Sequence, residues 1–169
     1  MISDFSLVLK VQIGSYRRSS IFGWVKKMKV NIIYESKYGN VKKAAEDLME
    51  IVKDSGFEAH IYPLKDTKPG DIGPADFYVF GSPARIWSLN RKMKKAIKDI
   101  DFPKNVRFGL ITTSEKDGSK IGDKIGKMLE KNGIDRGVND LNLKVKSRKG
   151  PLEKGYKDRI EKFCSEIAA

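Results

Sequence analysis

From Met28 to the end of the chain, short apolar runs alternate with segments of helical period, and few folds satisfy that alternation. Lys29-Val30-Asn31-Ile32-Ile33-Tyr34 is a brief apolar run of the kind that forms a buried strand. Val41, Ala44, Ala45, Leu48, Ile51 and Val52 then recur at helical spacing, and Gly56 closes that helix. Phe57 to Tyr62 alternates as a half-exposed strand. Lys65 to Ala75 holds two prolines and two glycines and reads as a connection with at most a short helix. Phe77-Tyr78-Val79-Phe80 is continuously apolar, as in a central strand. Leu89, Met93, Ala96, Ile97 and Ile100 mark a second helix, and Val106 to Ile111 the next strand. Ile121, Ile125, Met128 and Leu129 mark a third helix, ended by Asn132-Gly133, and Leu141 to Val145 alternates as an edge strand. Gly150-Pro151 introduces a last helix with Leu152, Tyr156, Ile160, Phe163 and Ile167 on one face. Five strands alternating with helices predict an α/β fold, a doubly wound parallel sheet with helices on both faces.

The segment before Met28 has a different character. Met1 to Lys27 carry five bases and one acid. The apolar stretch from Leu7 to Ile13 is interrupted by Lys10 and stopped by Gly14 and the polar run from Ser15 to Ser20. Asp4 precedes the stretch, which reverses the charge order of a secretory signal. Residues 1–27 are therefore read as an appendage outside the core, either a gene-start artefact or a membrane-touching or partner-binding arm. Residues 28–169 are read as the domain. No apolar run approaches the roughly 20 residues of a membrane span, so no integral membrane contact is expected, and the cytoplasm is the expected location.

Composition narrows the chemistry. A chain of 169 residues, 40% hydrophobic and 33% charged, suits one domain with its own core. One cysteine, Cys164, excludes an internal disulfide or a cysteine metal cluster. One histidine, His60, excludes a multi-histidine metal centre and argues against a Ser/His triad. His60 alternates on the second strand and reads as a surface residue, and Cys164, next to Phe163, reads as packing. The 34 Lys+Arg against 22 Asp+Glu give a net charge of +12, which implies acidic partners or an anionic ligand. Arg91, Lys92, Lys94, Lys95 and Lys98 form a run of bases before Asp99, read as a solvated helix face or a docking face.

The loop after the first strand has the makings of a phosphate site. Glu35-Ser36-Lys37-Tyr38-Gly39-Asn40-Val41 runs directly into a helix, whose first amides are unpaired and partly positive. Gly39 permits a tight turn and a close approach, and Ser36 and Asn40 add donors. Lys42 and Lys43 occupy a first turn where acids are favoured, a misfit that a bound anion would relieve. The loop is neither GxGxxG nor GxxxxGK[ST], so the dinucleotide and P-loop readings are weak. An ordinary strand–helix turn with solvated lysines is the plain alternative.

Ser36-Lys37-Tyr38-Gly39-Asn40-Val41 resembles the phosphate loop of the flavodoxins, usually Ser/Thr-x-Thr-Gly-x-Thr. Asp76-Phe77-Tyr78-Val79-Phe80-Gly81-Ser82-Pro83 resembles their third strand and second flavin loop, and Lys149-Gly150-Pro151-Leu152 is similar to the approach to their last helix. The resemblance covers residues 28–168 and implies strand order 2-1-3-4-5, with FMN at the switch point beyond the carboxyl ends of strands one and three. Tyr38 and Val41 replace two hydroxyl residues of the usual loop; Tyr before the glycine is also found in quinone-reductase and protoporphyrinogen-oxidase flavodoxin domains. Arg85 stands where a tyrosine is common, Trp87 is a candidate to stack on the flavin or to pack under its own helix, and Thr112 to Gly118 holds no ring.

The resemblance therefore implies an FMN-binding electron-transfer protein. Its cofactor residues are expected to be Ser36, Lys37, Tyr38, Gly39, Asn40 and Val41 in the first loop, Ser82, Pro83, Ala84, Arg85 and Trp87 in the second, and Thr112, Thr113 and Ser114 in the third. FMN carries the redox chemistry, so no catalytic acid or base is required. Two variants stand side by side: a carrier docking a redox protein with an acidic surface, and a small FMN-dependent oxidoreductase acting on a quinone-like substrate. A binding module that kept the fold and lost the flavin is the reading from another class. No nucleic acid is expected as partner, because bases are interspersed with acids and no aromatic-plus-basic motif is present.

Overall fold

The computed structural model describes residues 26–84 and 89–169. Along the chain run β1 (Lys29–Tyr34), α1 (Asn40–Asp54), β2 (Glu58–Pro63), a 3-10 turn (Pro69–Asp71), β3 (Phe77–Pro83) and α2 (Arg91–Asp99). They are followed by β4 (Arg107–Ser114), α3 (Ser119–Lys131), β5 (Asp135–Arg136), β6 (Leu141–Lys144) and α4 (Tyr156–Ala168). The sheet has the order β2-β1-β3-β4-β5, with β6 also on β4, and each of these pairings is parallel. This is the doubly wound architecture expected from the sequence.

Side-chain alternation along the strands divides the core between two layers. Ile32 and Val79, paired across β1 and β3, face α1 and α4, together with Val30, Leu48, Ile160 and Phe163. Their neighbours Ile33 and Phe80 face α2 and α3, together with Tyr78, Met93, Ile97, Ile125 and Leu129. Both faces of the central strands are thus covered, which explains why β1 and β3 read as continuous apolar runs. Gly81 is fixed by this packing. A Cβ there would stand 2.8 Å from Val41 Cγ1 and 3.2 Å from Tyr34 Cβ, so α1 lies this close to β3 because position 81 has no side chain.

Three segments differ from the sequence reading. The edge strand is divided: β5 covers Arg107 and Phe108, β6 covers Ile111 to Ser114, and residues 137–140 leave the ladder between them. Val138 turns inward there, against Gly109, where a Cβ would stand 2.7 Å from its Cγ2. The last helix begins at Tyr156, and Leu152 is not on it. Leu152 instead bridges antiparallel to Val145, and Glu153 N–H donates to the Lys144 carbonyl at 2.8 Å, so the chain doubles back before Gly155 opens α4. The second helix starts at Arg91, two residues after the buried Leu89, because the Asn90 side chain accepts the Lys92 N–H at 2.8 Å and caps it. The appendage assigned to residues 1–27 lies, apart from its last two residues, outside the described residues. Among those described, no helix is long and apolar enough to cross a membrane.

Candidate cofactor cavity

β1 passes to β2 on one side of the sheet, and the chain crosses to β3 on the other, so a crevice opens at the carboxyl ends of β1 and β3. A cavity of about 690 Å³ occupies that position, within the range of pockets that take a cofactor-sized ligand. Its walls come from the loop between β1 and α1, the end of β3, the loop between β4 and α3, and the segment after β6.

The first wall is the phosphate-loop candidate. Gly39 stands at the N-cap of α1 with φ +91°, a left-handed conformation that glycine adopts without a Cβ penalty. With no side chain at that cap, none bonds to the first amides of α1, and its first turn holds no acid. Ser36 Oγ accepts the Gly39 N–H at 3.1 Å, which leaves the hydroxyl proton to point at an acceptor. Lys37 lies over the Tyr38 ring at 5.3 Å, and Tyr38 is 44% exposed, the one large hydrophobic so exposed among the described residues. Asn40 lines the cavity, yet its side-chain amide donates to the Arg148 carbonyl at 3.1 Å and ties the segment after β6 to the start of α1. Val41 reaches the cavity from a nearly fully buried position against Gly81.

The remaining expected residues divide. Pro83, Ala84, Thr113 and Ser114 line the cavity. Ser82 and Thr112 stand behind its wall: the Ser82 hydroxyl donates to Glu35 Oε1 at 2.9 Å, and Thr112 Oγ1 donates to Asn142 Oδ1. Both residues are buried, and their hydroxyls are engaged by Glu35, just past β1, and by Asn142 of β6. Arg85 and Trp87 lie outside the described residues.

Sequence reading missed Glu115, Lys116, Asp117, Lys120, Ile121, Val145 and Arg148 as lining residues. Their signal was topological, since every loop at the carboxyl end of a parallel sheet faces the crevice. Motif matching alone stops at Ser114. Asp117 is held below the usual carboxylate range because the Ser119 amide and hydroxyl, at 2.9 and 2.8 Å, bond to it and start α3. Four cations, Lys37, Lys116, Lys120 and Arg148, therefore share the cavity with two carboxylates, Glu115 and Asp117.

No family model matches the sequence, and no curated protein matches it. Solved structures do match. A flavodoxin of Streptococcus pneumoniae TIGR4 aligns with TM-score 0.69 at 16% identity, over 83% of this chain and 97% of that one. Flavodoxin 2 of Bacillus cereus aligns with TM-score 0.68 at 14% identity, over 83% and 97%. The two-electron reduced flavodoxin of Megasphaera elsdenii aligns with TM-score 0.63 at 18% identity, over 82% and 98%. The chain has the flavodoxin-like fold.

Proposed function

We propose that the chain binds FMN in this cavity and works as a flavodoxin-like electron carrier. The observation that carries the reading is the start of α1, where an uncapped helix terminus with lysines and no acid in its first turn opens into a cavity of about 690 Å³. That arrangement is unfavourable alone and favourable beside an anion. The donor set fits a phosphate ester: helix amides, the Ser36 hydroxyl proton, and the nearby Lys37 and Arg148. The rest of the cavity fits a flat ring system, with Tyr38, Pro83, Ala84, Ile121 and Val145 as apolar wall.

When bound, the flavin supplies one- and two-electron transfer. The chain's residues hold its phosphate, orient the ring and set the surrounding charge. Purified protein tests the reading. A yellow preparation whose released chromophore is FMN, or a colourless one that takes up FMN in preference to riboflavin, is the expected result. Protein that binds neither would overturn it and leave a binding module on a flavodoxin-like fold.

A further inference from the structure

The two helical layers differ in charge, which becomes visible once each helix is assigned to a face of the sheet. On one face α2 and α3 carry nine bases and three acids; on the other α1 and α4 carry six bases and seven acids. The bases of the first pair are ordered. Arg91, Lys94, Lys95 and Lys98 form an exposed stripe on α2, and Lys120, Lys124, Lys127 and Lys131 form one on α3. Between the later turns of the two helices a recess of about 460 Å³ is lined by Lys94, Lys95, Lys98 and Lys131, with Met128 half-buried beside them.

The acids of α3 point elsewhere. Glu130 pairs with Arg136 at 3.6 Å; burial raises the pKa of Asp140 and the charge of Asp123 adds to it, so Glu130 and Asp123 both belong to the flank beside β5. Asp99 lines the recess and is paired with Lys95 at 2.8 Å. Like charges in such stripes repel one another, and an acidic surface laid across them removes that repulsion.

We propose that the α2–α3 face docks an acidic segment of a partner protein, with partner carboxylates seated in the lysine recess. Eight of the nine bases are lysines, and no large exposed hydrophobic lies on this face among the described residues. It therefore lacks the aromatic platforms that stack bases and the apolar residues that enter a membrane. The α3 stripe begins at Lys120, which also lines the cavity. On the flavin reading above, the stripe leads from the cavity mouth at Lys120 to the recess, which lies about 16 Å farther along α3, at the end of the helices away from the electron source.

The test uses the full chain and does not depend on flavin. A peptide of about twelve glutamates is titrated while backbone amides are followed by NMR, with an oligonucleotide of similar charge and phosphatidylserine vesicles as rival probes. Shifts along residues 91–99 and 119–131 are expected, with affinity about tenfold weaker in K94E/K98E/K131E and reduced as salt rises. The matched triple reversal on the opposite face, K53E/K157E/K162E, should leave binding within about twofold, and circular dichroism checks that both variants fold. Shifts mapped elsewhere, equal binding by the two triple variants, absence of binding, or tighter binding of the oligonucleotide or vesicles would each overturn the proposal. Flavin content read on the same samples separates this outcome from failure of the FMN reading.

Discussion

Gly39 and Gly81 both fall in the candidate loops, and the structure needs them for different reasons. Gly39 has φ +91° with nothing within 4 Å of an added Cβ, so its requirement is in the backbone. Gly39→Ala should cost about 1–2 kcal/mol, the penalty for an L residue in that conformation, read from urea denaturation. Gly81→Ala meets Val41 Cγ1 instead and should cost about 1–3 kcal/mol through overpacking. Pairing it with Val41→Ala opens the space, so the double variant should be less destabilised than the sum of the singles; strict additivity would refute the contact argument. Ser36→Ala should weaken FMN binding by about 0.5–3 kcal/mol, the upper end applying to a charged acceptor, as measured by fluorescence titration. Gly39 was legible in the sequence because its role is local. The packing role of Gly81 was not, because the helix it admits is joined to β1 rather than to β3. The hydroxyl partners of Ser82 and Thr112 were not legible for the same reason: a strand residue's type is local, but its partner, Glu35 just past β1 or Asn142 on β6, comes from elsewhere in the chain.

Elements with several turns of regular period were readable, and those set by a few long-range hydrogen bonds were not. The apolar face of α1 stands out at Val41, Ala44, Ala45, Leu48 and Val52. β5 is two exposed residues long and carries no pattern. The start of α4 depended on Gly155 and the reversal at Leu152, which the preceding Gly150-Pro151 obscured. Across the same layer, Tyr156 of α4 donates its hydroxyl to Asp47 Oδ2 of α1 at 2.7 Å. Burial and that carboxylate push the Tyr156 phenol from 10.0 up to about 12. The folded state therefore holds the phenol proton more tightly than the unfolded chain. The resulting stabilisation is complete below pH about 10 and is lost as pH rises through about 12. Tyr156→Phe should lower stability by about 1 kcal/mol at neutral pH, and the gap to the parent should shrink in alkali. A gap that stays constant from neutral pH to pH about 12 would show that the phenol does not act through its proton.

At the scale of the molecule, the sequence showed the amount of charge and the structure shows its placement. The +12 of the whole chain cannot say which surface is positive. Folding puts Lys37, Lys116, Lys120 and Arg148 on the cavity, against Glu115 and Asp117. With FMN bound there, reduction adds negative charge to the ring, and nearby cations favour the reduced form. Lys116 and Lys120 lie on the third loop and the start of α3, not on the α1 terminus proposed to hold the phosphate, so their charge can be reversed without touching that loop. A unit charge about 10 Å away in water is worth roughly 0.4 kcal/mol before salt screening. Reversing two lysines changes the field by about four such increments, on the order of 20–40 mV for a two-electron couple. Lys116→Glu/Lys120→Glu should therefore lower the reduction potential of the bound flavin by that amount at low salt, and by less as salt rises. Lys53→Glu/Lys157→Glu makes the same net-charge change on the α1–α4 layer and should move the potential much less. A potentiometric titration of the three proteins decides the point. Equal shifts in both variants would mean that net charge governs the potential, whereas a shift confined to the cavity pair would show that placement does.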